Sequence, residues 1–461
     1  MLSILNIVSG SKFSLLLVSL IAISTIVDSQ FIRLFYTTDL GTPGNFHILL
    51  FVSLVLFASI INIMFIRFAK SNDTQARSSR PLLFRTAYVC TLGAQTVVLL
   101  IMYLVISEML IFHAYDRVFL LLVIVVSHFL SAFILGTLSV LFLQWFRFGR
   151  SLSILTYATV FIVILFLVLT TLALLIQTHT TQSTLEAESV SPKQYITLVL
   201  QDAFPSTVDP NIAFVYGLGT YALPILAIAS WILTVSLLKG YIIRIGKKKF
   251  WLIVSIPLAY QIFVVIVSNP NLVTDASLTL ILYSPQIQFL VAINGQISGL
   301  FFAVTLWIIA RKTGQKNMKN FFMITSLGII SLFSSIQPGS PFYEAYPPFG
   351  LVTLSLLGVS SYMLLVGMVG SAAYVARDSL VRREVYNSLE ADSYVLKMGT
   401  AEMKRELEHR VLSVTNKFKS SKFAGDMIFT TEPDEKDVRL MVEEVLKVVH
   451  SKDGHLEKDK R

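Results

Sequence analysis

The sequence predicts an all-α polytopic membrane helix bundle of about ten spans with a C-terminal cytoplasmic helical tail. Three observations carry this. Of 461 residues, 54% are hydrophobic and 14% are charged, against roughly 25% charged in ordinary globular chains. Ten segments approach the roughly 20 apolar residues that a spanning helix needs. The basic residues between those segments fall almost entirely on one side. This balance excludes an ordinary soluble enzyme and a disordered chain. The single cysteine excludes a disulfide-stapled scaffold.

The segments, in order, are Phe13–Val27, Phe46–Phe65, Phe84–Ile106, Val118–Phe146 and Ile154–Ile176, then Ile212–Leu238, Phe250–Val267, Ile287–Ala310, Phe321–Ile336 and Phe349–Val375. The first lacks a small-residue cleavage site and reads as a retained helix. The ninth is short and Ser-rich and ends at Gln337-Pro338, which fits a re-entrant or packed helix. With the N-terminus inside and the segments alternating, 17 of the 20 Lys and Arg before Arg377 lie inside. The three outside are Arg33, Arg117 and Lys193, and of the acids only Asp73 falls inside. Such a bias over short loops is the positive-inside pattern. It predicts a multi-pass cell-membrane protein with both termini cytoplasmic. The largest outside loop is 177–211, with a short apolar run at Tyr195–Leu200.

Composition changes at Arg377. Residues 1–376 form the predicted membrane domain. Residues 377–461 form a tail with 17 basic and 17 acidic residues. The pI of 9.4 therefore reflects threading, not a nucleic-acid surface, and no nucleic-acid partner is expected. Basic residues near the inner leaflet predict contact with anionic membrane lipids.

Three helices are expected in the tail. The tenth span is predicted to run on through Leu380, Val381, Val385, Leu389 and Leu396 until Gly399 breaks it. Thr400 would cap a second helix, with Glu402 as an acidic first-turn residue. Met403, Leu407, Val411 or Val414, and Phe418 would line one face of it. Thr431-Glu432-Pro433 starts a third helix, with Val438, Met441 or Val442, Val445 and Val449 as its stripe. Such helices are marginal alone. A homo-oligomer or a protein partner, in coiled-coil-like fashion, is the expected cover.

Candidate site residues are polar groups at membrane depth, because leaving them in lipid is costly. His128, with Ser131 on the same helix face, suits a proton relay or a hydrogen bond between helices. The amides are Asn62, Gln95, Gln261, Asn294 and Gln296. They serve either as glue between helices or as the lining of a polar cavity. Pro257 and the ninth segment offer a broken helix of the kind that builds transporter sites. Cys90 reads as a small buried hydrophobe. His47, Glu108, His113, Asp116 and His179 sit on different loops with no paired spacing, so no metal site is expected. His409 reads as an ordinary helix-surface residue. No set of nucleophile, base and orienter is visible, so the balance leans away from an enzyme, and no cofactor is expected.

Pro347-Pro348-Phe349-Gly350 through Leu365-Val366-Gly367, then Ala372-Ala373-Tyr374-Val375-Ala376-Arg377-Asp378 and Gly399-Thr400-Ala401-Glu402-Met403, together resemble a family of archaeal polytopic membrane proteins found in ammonia-oxidising archaea. The resemblance implies a membrane address and an archaeal source. It implies no activity, cofactor or catalytic residue. In layout only, the chain is similar to receptors that pass a signal from a membrane bundle into a cytoplasmic coiled segment. Two functions follow as expectations: an interaction or sensory protein using its tail, or a transporter or lipid-handling protein using a polar cavity in the bundle.

Overall fold

Helices make up every element described in a computed structural model of the chain. The description covers residues 44–77, 80–112, 115–182, 210–239, 246–268, 293–312, 315–336, 347–378 and 394–420, with residues 23, 24, 27, 28, 287, 290 and 382 standing alone. The helices are α1 (Gly44–Arg77), α2 (Pro81–Phe112), α3 (Arg117–Gly149), α4 (Leu152–Gln182), α5 (Pro210–Leu238), α6 (Lys247–Ser268), α7 (Asn294–Lys312), α8 (Lys316–Ser335), α9 (Leu351–Arg377) and α10 (Tyr394–Ser420). Seven helices are long and apolar enough to cross a membrane: α1 to α4, α6, α8 and α9. The predicted second to tenth segments each hold a described helix, with residues 288, 289, 291 and 292 of the eighth outside the described residues. The first segment, the Tyr195–Leu200 run and residues 431–449 lie outside the described residues, apart from the isolated positions near residue 28.

Helix α9 is the axis of the bundle. It packs against α8, α1, α3, α10 and α2, and every residue of its most apolar window is buried. Its sequence explains why it can sit there. Gly, Ser and Ala recur along it, and small side chains let neighbouring backbones come close. A Cβ on Gly367 would collide with Thr325 of α8, whose backbone nitrogen lies 2.9 Å from that point.

Burial also supports the packed reading of the ninth segment. Among the seven span-length helices, α8 and α9 are the least apolar and the most enclosed. A helix sheltered by protein has no lipid to match, so it carries Ser and Thr that a lipid-facing helix could not. The Ser-rich character of α8 reflects enclosure: the helix is continuous from Lys316 to Ser335. Its Ser326 donates to Ala303 O of α7 at 2.7 Å, and Ser335 to Thr353 O of α9 at 2.7 Å. Nor is the helix broken at Pro257, since α6 runs through it. The Trp231 indole donates to Val254 O beside the proline at 2.8 Å. By contrast α6 is only 28% buried in its apolar window and lies at the edge. Cys90 is exposed on the outer face of α2, not buried as its size and type imply.

The segment after α9 also departs from expectation. Helix α9 stops at Arg377, where Asp378 turns extended (φ −105°, ψ 111°) and its N–H bonds Tyr374 O. Helix α10 then runs straight through Gly399 and Thr400. Thr400 is no cap; its hydroxyl donates to Lys397 O inside the helix at 2.9 Å. Gly399 is there for close approach, because a Cβ would strike Val375 of α9. The buried face of α10 is Val395, Met398, Ala401 and Glu402, whereas Met403 and Leu407 are half-buried.

Candidate functional site

Glu402 is the most tightly held charge among the described residues. It is fully inaccessible, and three elements aim donors at it. Arg80 precedes α2, where Pro81 occupies the first helical position that tolerates a missing N–H. Trp145 lies in the last turn of α3. There Arg150 ends the helix in a left-handed conformation (φ 42°) and donates its N–H to Phe146 O. Arg405 stands one turn beyond Glu402 on α10.

Five N–H groups reach the two carboxylate oxygens. Arg80 donates from Nε to Oε1 at 3.3 Å and from Nη2 to Oε2 at 3.1 Å. Arg405 donates from Nε to Oε2 at 3.0 Å and from Nη2 to Oε1 at 2.8 Å. The Trp145 indole donates to Oε2 at 2.7 Å. Both arginines are bidentate, the strongest form of carboxylate recognition. Burial alone would raise the Glu402 pKa. The bonds from Arg405, the charge and bonds of Arg80, and the Trp145 indole outweigh it and bring the pKa down to about 2. Arg80 is pulled below its ordinary value by burial, with the neighbouring Arg405 charge adding to this, and Glu402 and Glu406 offset only part of it.

The clasp is rooted in aromatic packing. Trp145 meets Phe142 edge-on at 5.0 Å, Phe142 stacks on Tyr157 of α4 at 5.6 Å, and Tyr157 contacts Phe302 of α7 at 6.2 Å. Further contacts fasten α10 to the end of α9. Arg382 donates to Ala376 O at 2.8 Å and contacts Met403 Sδ at 2.9 Å, and Arg377 pairs with Glu406 at 3.7 Å.

The sequence-predicted residues do not converge on one site. His128 is buried on α3, and its Nδ1 donates to Ile124 O at 2.9 Å. Ser131 meets Ser361 of α9 at 2.6 Å; Ser361 spends its own hydrogen on Leu357 O, so Ser131 is the donor. Ser131 thus bridges α3 and α9, whereas the His128 imidazole is held within α3.

Asn62 on α1 and Gln95 on α2 form a second group. The α1–α2 interface is registered by Tyr103–Ser59 and Lys70–Tyr88 hydrogen bonds, each 3.0 Å. Asn62 and Gln95 both fall between those two bonds along the helix pair, and both are buried. Neither polar atom of Asn62 has a partner, nor does Gln95 Nε2 or the neighbouring Thr91 hydroxyl.

The remaining amides lie across the bundle. Gln261 on α6 lines a cavity of about 10 Å³ with Ser230, Trp231, Thr234, Pro257 and Ser298, room for about one water. Asn294 and Gln296 begin α7 and do not line it. Glu108 and Asp116 serve as caps: Glu108 accepts from Asp116 N at 2.9 Å, and Asp116 accepts from Val118 N at 2.9 Å.

Two buried carboxylates escape a sequence reading. Glu402 looks like any acidic residue of an amphipathic helix, and only its pairing with Arg80, 322 positions away, marks it. Asp28 reads as a loop acid at the end of the first segment. It is buried, and its Oδ2 accepts from Thr353 N and Thr353 Oγ1 at 2.7 Å each. It thus caps the N-terminus of α9, where a negative charge is favourable.

No family model, curated protein or solved structure matches the chain. What stands is a polytopic α-helical membrane protein of unassigned activity.

Proposed function

We propose that this protein is a membrane interaction or sensory protein whose C-terminal segment is held against the bundle and engages a partner or a second copy. The observation that carries this reading is the Glu402 clasp. It joins α10 to α2 and α3 by charge-assisted bonds, and the aromatic run from Trp145 to Phe302 leads from the clasp into α4 and α7. A purely structural appendage needs no buried ion cluster to stay in place, since apolar packing does so at lower desolvation cost.

In this reading the chain crosses ten times, residues 1–376 form the bundle, and both termini lie in the cytoplasm. Residues 377–461 form the partner-binding unit. The archaeal family resemblance agrees with such a layout. The alternative is a transporter or lipid-handling protein, and the unpartnered buried amides of Asn62 and Gln95 are what favour it. The test is crosslinking in native membranes, full-length against a chain ended at Arg377. Loss of an oligomer or of a crosslinked partner on truncation is expected. Identical crosslinking patterns from both chains would overturn the reading.

A further inference from the structure

Along α3, beside the first turn of α2, lies an open-sided groove of about 740 Å³. Its walls are apolar for most of their length, and Ala132 and Gly136 line it from α3. Its lips are Leu82, Phe133 and Val140, which are 80%, 52% and 53% exposed. From Ala132 to Leu141 the α3 wall is about 14 Å long at 1.5 Å per residue. That matches half of a bilayer's hydrocarbon core, about 15 Å. The groove is therefore one leaflet deep.

Its mouth is charged. Arg80 and Arg405 both line it. Each spends Nε and Nη2 on Glu402, which leaves the Nη1 donors of both free of Glu402. Two guanidiniums against one carboxylate leave a positive charge. The nearby Glu406 is answered by Arg377 at 3.7 Å and Arg410 at 3.9 Å. A leaflet-long apolar slot ending in spare guanidinium donors has the form of a phospholipid with an anionic head.

We infer that this groove binds one anionic phospholipid from the leaflet on the α10 side, its chain along α3 and its phosphate on Arg80 and Arg405. The lipid then bears on the outer side of the same guanidiniums that hold Glu402 from within. Occupancy stabilises the docked α10, because a ligand that binds only the docked state favours it.

The test reconstitutes the full chain in bilayers of equal phosphatidylcholine and phosphatidylglycerol. Gentle re-extraction follows, and retained lipid is quantified by native mass spectrometry. Wild type should retain phosphatidylglycerol about fivefold over phosphatidylcholine, the factor given by roughly 1 kcal/mol for one net basic charge. Thr137→Trp fills the groove without touching Arg80, Arg405 or Glu402, and should abolish both retention and preference while elution volume and melting temperature stay unchanged. Val140→Trp on the lip gives the same reading if Thr137→Trp does not fold. Equal retention of the two lipids by wild type, or undiminished phosphatidylglycerol on a folded groove-filled variant, would overturn the proposal.

Discussion

Glu402 and Asn62 are both wholly enclosed by protein, and their surroundings are opposites. Glu402 receives five hydrogen bonds from three side chains. Asn62 has neither oxygen nor nitrogen partnered. One site is a saturated ion cluster at the end of the bundle, the other an unsatisfied amide at its waist. The difference teaches where each site's energy lies. The clasp is expensive to assemble and more expensive to break, because any loss strands a buried charge. The waist already bears the cost of unpartnered polar atoms, so removing them relieves the fold.

The largest expected effect is at the clasp. Glu402→Ala leaves Arg80, Arg405 and Trp145 facing one another without an acceptor. Breaking a buried ion pair costs about 3–5 kcal/mol. Rapid proteolysis within α10 should follow, while the spanning helices stay protected. Unchanged protection of α10 would remove the clasp from the account.

Acid titrates the same contact. The folded Glu402 pKa lies near 2 against the ordinary 4.5 of a glutamate, a difference worth about 3 kcal/mol at 1.36 kcal/mol per unit. A depressed carboxylate stabilises above its unfolded pKa and loses that contribution as pH falls toward its folded one. Protection of α10 should hold from pH 8 to about 5 and decline between about 4.5 and 2. In Glu402→Gln that decline should be absent.

Gly367→Val tests the axis, not the clasp. Its side chain meets Thr325, and overpacking of this kind costs about 1–3 kcal/mol. The melting temperature of the whole bundle should fall, with α10 no more labile than the rest. At the waist the sign reverses. Asn62→Leu should leave stability unchanged or raise it by about 1 kcal/mol, and a clear loss would mean the amide has a bound partner such as water. Ser131→Ala, which removes one hydrogen bond to Ser361, should cost least, about 0.6 kcal/mol.

Much of the fold was legible because lipid imposes a simple rule. Segments two to ten were visible as apolar runs, and each holds a described helix. The packing between them was not, because hydropathy reports what a helix could face and not what it does face. Cys90 and the ninth segment show this from both directions: one apolar and outward, the other polar and enclosed. His128, Ser131, Asn62 and Gln95 were identifiable as buried polar residues, since depth alone predicts it. Glu402 was not. A charge in an amphipathic helix faces water by default, and its partners come from 322 and 257 positions away. Gly399 misled for a related reason. Glycine ends helices and also lets helices touch, and only the nearness of Val375 decides between the two.

The central place of α9 has a consequence for synthesis. It is the ninth of the ten described helices to leave the ribosome, yet α1, α2 and α3 all rest on it. Those early helices enter the bilayer before the surface they fit exists, and their small and polar inner faces must wait against one another or against a chaperone. Assembly therefore ends at the centre, and α10 follows to lock it. A nascent chain halted before Leu351 leaves α1, α2, α3 and α8 without the helix they pack on, exposed to quality control.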